Sequence, residues 1–327
     1  MNGHYFLVFL FGLLVITIGA EILLRGASKI ASLLKIKPII IGLTVVAIGT
    51  SLPELAVGLT AIKEGVSDIA VGNIAGTNIV NILLILGLSA AIRPLPLQLN
   101  SIKIELFAMI LASALLFFFS IDGTLSQFDS GILILLGLIY LIIIIRSSKK
   151  EPVKLQIEFH EEYEPSPLTE RRDLKTWIWH FMLLFCGIIA TIYGAEQMII
   201  GATYLAKNYG ISDGVIGLTI VAIGTSAPEL ATTLVSTYKN ERDVAIGNLL
   251  GSSVINIFII LGFTGLFIPN GIDISEDILW FDLPFAGLVA LACYPVFRSD
   301  QLVSRKEGIL FLGFYLLYLS YLIIFRT

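Results

Sequence analysis

Charge is what this sequence has least of. Asp, Glu, Lys and Arg make up only 14% of its 327 residues, hydrophobic residues make up 56%, and mean hydropathy is +0.91. A soluble domain carries about 25% charged and 45–50% apolar residues, so a water-soluble globular chain is excluded. Cysteine is nearly absent too: Cys186 and Cys293 lie in apolar runs with no CxxC or Cys/His spacing around them, which reads as packed thiols, not a disulfide or metal pair. The net charge of −4 gives no footprint for nucleic acid. HExxH, GxGD and GxSxG are all missing, and His160-Glu161-Glu162 lacks a second His, so an intramembrane hydrolase finds no support beyond a pair of carboxylates. The first apolar stretch has no basic residues before it, so it reads as a spanning helix, not a secretory signal.

What the chain has in quantity is apolar runs of spanning length, about 20 residues each. Ten candidates lie near residues 5–33, 38–62, 69–91, 102–120, 129–146, 175–205, 214–236, 244–267, 277–297 and 307–325. The one long polar stretch, Arg146 to Lys175, mixes acidic and basic residues and reads as a solvated loop. Sliding the sequence by 175 residues exposes a repeat. Gly42 to Leu55 reads GLTVVAIGTSLPEL and Gly217 to Leu230 reads GLTIVAIGTSAPEL, differing only at Val45/Ile220 and Leu52/Ala227. The same offset superposes Gly19-Ala20-Glu21 on Gly194-Ala195-Glu196, Gly26-Ala27 on Gly201-Ala202, Gly72-Asn73 on Gly247-Asn248, Gly76 on Gly251 and Asn81 on Asn256.

Five spans per repeat is an odd number, so the second copy must enter the membrane from the opposite side. The expected fold is therefore an all-α membrane protein of ten transmembrane helices in two inverted five-helix repeats, with helices 2 and 7 broken at mid-membrane. The repeats are residues 1–146 and 175–327, joined by a cytoplasmic loop at 147–174. With that loop inside, only Lys63, Lys207 and Arg326 of the 21 Lys and Arg fall outside, the bias expected of an inner-membrane protein with both termini extracytoplasmic.

Helices 2 and 7 each carry Gly-Thr-Ser-Xaa-Pro-Glu at mid-span. Pro53 and Pro228 lack an N–H and crowd the carbonyl four residues back, at Gly49 and Gly224, and those glycines let the backbone bend. Backbone oxygens freed this way in a bilayer need protein, water or a cation to satisfy them. Glu54 and Glu229 follow directly, and a carboxylate at mid-bilayer costs about 2.5–3.5 kcal/mol to insert. Two such residues converging at the midplane supply a charge of −2, which matches a divalent cation. Spans 3 and 8 add Thr77 with Asn81 and Ser252 with Asn256, each pair four residues apart and so on one helix face, with Asn73 and Asn248 a turn earlier. Helix packing would explain the neighbouring glycines but not the matched hydroxyls and amides. This all-oxygen donor set suits Ca2+, which takes 6–8 oxygens at flexible geometry, and it suits Na+. Transition metals would recruit His or Cys, and these segments have neither.

The motifs GTSLPEL (49–55), GNIAGTNIVNILLILG (72–87), GTSAPEL (224–230) and GNLLGSSVINIFIILG (247–262) closely resemble the alpha repeats of the cation/calcium exchanger superfamily, in particular its bacterial and archaeal sodium/calcium exchangers. The resemblance implies an antiporter working by alternating access, with helices 1 and 6 sliding as a gate. It makes Glu54 and Glu229 the central Ca2+ ligands and Thr50, Ser51, Thr225 and Ser226 hydroxyl or backbone donors. The Ala47 and Ala222 carbonyls would serve peripheral Na+ positions, and Thr77, Asn81, Ser252 and Asn256 would complete the site. Some members, including K+-dependent ones, have aspartate where this chain has Asn256, which weighs against K+ coupling. Glu21 and Glu196, on the gate helices, are expected to be structural. Ca2+ and Na+ are the transported ions, no cofactor is implied, the bilayer is the surrounding medium, and no protein partner is indicated. A proton could replace Na+ as the driving ion, because a carboxylate that binds a cation also binds a proton. A passive channel is disfavoured, since a deep carboxylate pair slows ion exit.

Overall fold

The computed structural model describes residues 2–34, 38–63, 68–96, 99–148, 174–208, 222–239, 242–298 and 302–325. It is a helical membrane protein. Among the described residues, eight helices are long and apolar enough to span a bilayer, and a ninth span follows if the bent pair Gly42–Thr50 and Leu52–Leu59 is counted as one. The elements run α1 (Asn2–Leu34), α2 (Pro38–Ile41), π1 (Gly42–Val46), α3 (Ala47–Thr50), α4 (Leu52–Lys63), α5 (Asp68–Ile79), π2 (Val80–Leu86) and α6 (Gly87–Ile92). Next come β1 (Leu95–Pro96), α7 (Leu99–Phe119), β2 (Thr124–Leu125) and α8 (Gln127–Ser148). The second half holds α9 (Leu174–Asn208), α10 (Ala222–Thr225), α11 (Ala227–Tyr238), α12 (Arg242–Ile255), π3 (Asn256–Leu261), α13 (Gly262–Leu266), β3 (Ile272–Asp273), π4 (Ile278–Asp282), α14 (Leu283–Arg298), β4 (Leu302–Val303) and α15 (Arg305–Phe325). The first half of the expected seventh span, residues 214–221, lies outside the described residues, as does most of the expected cytoplasmic loop.

Burial separates core from periphery. In the helix Val244–Leu266, 94% of the most apolar window is buried, and in Ile69–Ile92, 72%; the other spans keep most of that window at the surface, where lipid meets it. These two helices cross where Asn78 Nδ2 donates to the Ser253 carbonyl at 3.2 Å, two positions that the 175-residue offset superposes. π1 lies backbone to backbone on α12: a Cβ on Gly42 would fall 2.8 Å from the Val244 carbonyl oxygen, and one on Gly251 2.7 Å from the Leu43 Cα.

α1 and α9 form a separate antiparallel pair with a seam of glycines at seven-residue spacing, Gly12, Gly19 and Gly26 against Gly187, Gly194 and Gly201. A Cβ on Gly19 would lie 2.7 Å from the Thr191 N, one on Gly26 2.6 Å from the Leu184 N and one on Gly201 2.6 Å from the Phe9 N. Every seventh residue returns to the same face after nearly two turns, so the seam runs most of the pair's length. Close backbone approach through small residues is how helices associate where lipid removes the hydrophobic drive. Two short strand pairs also link the halves. β1 pairs antiparallel with β4, Leu95 opposite Val303, and β2 with β3, Thr124 opposite Asp273.

Candidate cation site

The site begins with two interrupted helices. Ser51 (φ −85°, ψ 4°) and Ser226 (φ −84°, ψ 5°) share one non-helical conformation, and a new helix starts after each. At Ser51 the axis turns by 42°. Pro53 and Pro228 stand at the second position of the new helices, where a missing N–H is tolerated. Glu54 and Glu229 then occupy the third position, in the first turn, where the positive end of the helix dipole favours a carboxylate. The sequence order Ser-Xaa-Pro-Glu thus places an acid against a helix N-terminus twice.

Both glutamates are buried, with 1% of Glu54 and none of Glu229 exposed. The two carboxyl groups lie near enough to each other to interact electrostatically. Glu54 Oε1 accepts from Thr77 Oγ1 at 3.5 Å, Glu54 Oε2 has no hydrogen-bond partner, and neither oxygen of Glu229 has one. The Thr50 and Ser252 hydroxyls turn toward Glu229 without closing a regular hydrogen bond. They lie 3.4 Å from each other, and Thr50 Oγ1 also donates to Asn248 Oδ1 at 3.2 Å. The Ala47 carbonyl takes the Ser51 N–H at 3.1 Å and lies 3.4 Å from the Thr50 hydroxyl as an alternative acceptor. Ser51 Oγ, Ser226 Oγ and the side-chain oxygens of Asn81 and Asn256 are buried with no partner. Thr225 is buried beside Ser226, and Ala222 opens the short helix before them.

Buried polar atoms are hydrogen-bonded in the great majority of proteins. Here the unpartnered oxygens include those of two carboxylates, two serines and two asparagines that the repeat superposes pairwise. Among the described residues no group of three or more His, Cys, Asp and Glu that could hold a metal ion is found. Of the residues singled out from sequence, direct contacts join Glu54 to Thr77 and Thr50 to Ala47 and Ser252. Ser51, Ser226, Asn81 and Asn256 make no such contact.

Sequence reading left Asn248 outside the site, although its place on the Ser252–Asn256 stripe was the available signal; the structure joins it to Thr50. It also missed the π-turns. π2 begins at Val80 and π3 at Asn256, so Asn81 and Asn256 each sit at the opening of a widened helical turn. Such turns re-aim side chains and cluster at functional sites. Glu21 is not in the site: it accepts from Arg25 and forms a 2.9 Å ion pair with Lys239, while Glu196 is exposed on α9.

Comparison with known proteins decides the family. The model of the sodium/calcium exchanger protein family matches residues 4–146 and 179–324. This chain is a member of the sodium/calcium exchanger family. It is 36% identical over 314 residues to the inner membrane protein YrbG of Escherichia coli, covering 95% of this chain and 94% of the relative. It is 30% identical over 341 residues to the sodium/calcium exchanger MaX1 of Methanosarcina acetivorans, covering 96% and 97%. The solved sodium/calcium exchanger of Methanococcus jannaschii superposes with a TM-score of 0.80 at 30% identity, over 98% of this chain and 99% of that one. The family member is thus a multi-pass membrane cation antiporter and not an enzyme.

Proposed function

We propose that this chain exchanges Na+ for Ca2+ by alternating access, the two ions competing for one site centred on Glu54 and Glu229. The observation that carries this reading is the facing pair of buried carboxylates with unpartnered oxygens at matched helix breaks. Four carboxylate oxygens with the Thr50, Thr77 and Ser252 hydroxyls and the Asn81 and Asn256 amides offer more oxygens than the 6–8 that Ca2+ takes. Ser51, Thr225 and Ser226 add further oxygens, and the Ala47 and Ala222 carbonyls flank them as Na+ donors. If both ions need both carboxylates, occupancy by one excludes the other. A site that must be occupied before it changes sides then couples their fluxes.

The architecture we propose has ten spans in two inverted repeats, 1–146 and 175–327, with the loop 147–174 cytoplasmic and both termini outside. Two findings support it. α1 and α9, superposed by the repeat, run antiparallel. The strands pair crosswise: β1, after the third span, meets β4, between the ninth and tenth, and β2, after the fourth, meets β3, between the eighth and ninth. Paired strands share a membrane face, so the third connection of one repeat lies with the fourth of the other, as inversion requires. The described helix break at Ser226, matching that at Ser51, supports a broken seventh span.

Uptake of radioactive Ca2+ into Na+-loaded proteoliposomes tests the exchange. Uptake is expected with an outward Na+ gradient and not with equal Na+, K+ loading or a pH gradient alone. Uptake on the pH gradient alone would replace Na+ by H+ as the driving ion.

A further inference from the structure

The two repeats are nearly identical at the site and differ just beyond it. After Glu229, α11 continues Thr232, Thr233, Ser236, Thr237; after Glu54, α4 has Val57, Gly58, Ala61, Ile62 at the superposed positions. Offsets of three, four, seven and eight from Glu229 lie on one helix face. Four hydroxyls therefore form a stripe leading from the site toward the end of α11, about 12 Å at 1.5 Å per residue. All four are buried, none exposing more than 1%. Ser236 and Thr237 donate back to the carbonyls of Thr232 and Thr233 at 2.7 Å, but the hydroxyls of Thr232 and Thr233 have no partner. Packing alone does not favour two fully buried unpaired hydroxyls, each a desolvation cost, where the sister helix uses apolar side chains. A back-bonded hydroxyl also keeps its lone pairs to accept from water or face a cation.

The stripe ends at an ion pair. Lys239, the residue that caps α11, reaches Glu21 Oε1 on α1 at 2.9 Å, and Arg25 holds the same oxygen. α1 is thereby tied to the end of α11 where the stripe would open. The repeat places Glu64 at the position of Lys239 and Glu196 at that of Glu21, so no opposite pair exists in the sister sequence.

We propose that the Thr232, Thr233, Ser236 and Thr237 stripe is the closed half of the ion path, joining Glu229 to the membrane face of Lys239, and that the Glu21–Lys239 pair is its latch. This rests on the antiporter reading above, whose topology makes that face cytoplasmic. Opening requires α1 to leave α11, which breaks the pair and admits water to the hydroxyls. The path toward the other face, along α4, is apolar, so the two half-paths differ in how they carry a partly hydrated ion.

The test uses the full chain in proteoliposomes and Ca2+/Ca2+ self-exchange, which needs no driving ion. Thr232→Val with Thr233→Val removes two hydroxyls at constant shape. It is expected to slow self-exchange at least tenfold and leave equilibrium Ca2+ binding within twofold, while Thr232→Ser with Thr233→Ser restores most of the rate and Val57→Thr on α4 changes nothing. Wild-type self-exchange in the valine variant would overturn the path. Labelling decides it even if that variant does not fold. In a Cys186→Ala background, Ser236→Cys should react with a cationic methanethiosulfonate only from the face of Lys239, at least tenfold faster when Lys239→Ala opens the latch. No reaction from that face in either form would overturn the proposal. If wild-type uptake follows a pH gradient and ignores Na+, the driving-ion reading falls while self-exchange and labelling still judge the path; if no Ca2+ self-exchange occurs at all, the antiporter reading falls and labelling judges the path alone.

Discussion

A glutamate and a glutamine differ by one oxygen and one charge, which makes the substitution a clean probe of Glu54 and Glu229. Gln keeps the volume of the buried side chain, and either neutral variant is expected to insert and fold. Interactions of a charged group contribute about 1.5–3 kcal/mol each, or about 10–100-fold in binding, so Glu54→Gln or Glu229→Gln should reduce Ca2+ uptake to background. Wild-type flux in either variant would refute a shared carboxylate pair. Asn256 allows a test with opposite signs. If its amide holds the protein together, Asn256→Leu lowers the melting temperature with or without ions. If it faces the ions, the ion-free protein is no less stable, because an unpartnered buried amide is gone, but the rise in melting temperature on adding Ca2+ shrinks. A thermal-shift titration separates the two.

At the scale of elements, the α1–α9 pair stands on its glycine seam. Gly19→Val or Gly194→Val puts side-chain atoms where partner backbone lies 2.5–2.7 Å from a Cβ. Overpacking of this kind costs about 1–3 kcal/mol, so the melting temperature should fall and exchange should slow, whereas Gly131→Ala and Gly313→Ala, with open space around them, should behave as wild type. A seam variant with full exchange rates would show that the two helices need not stay in register during transport. The interruptions at Ser51 and Ser226 were legible because Gly, Pro and Glu act locally: each forces or exploits a bend without help from the fold. The glycine seam was legible only in part: the 175-residue offset superposes Gly12, Gly19 and Gly26 on Gly187, Gly194 and Gly201, but nothing in the repeat says that these two helices pack on each other. The π-turns at 80–86 and 256–261 were not legible, because one extra residue per turn leaves the apolar pattern nearly unchanged. The Asn78–Ser253 bond was hidden for a different reason: it pairs unlike residues at positions that the repeat superposes.

For the whole molecule, the crosswise strand pairing turns the inverted topology into a chemical measurement. Two-residue strands carry no pattern that sequence can show, and their pairing depends on which loops share a membrane face. Leu95 faces Val303 and Thr124 faces Asp273 as antiparallel partners. Directly opposite residues hold their Cβ atoms about 4.5–5.5 Å apart, near enough to the roughly 3.5–4.5 Å of a disulfide for small backbone shifts to close it. Leu95→Cys with Val303→Cys, and separately Thr124→Cys with Asp273→Cys, should each cross-link the two halves on mild oxidation after a protease cut in the 147–174 loop. The decisive step is reduction by a membrane-impermeant phosphine. In right-side-out vesicles the 124–273 bridge should open and the 95–303 bridge persist, with the reverse in inside-out vesicles. Both bridges opening from one face would mean that the third and fourth connections of each repeat do not alternate sides, and the inverted ten-span plan would fall with the placement of both termini outside.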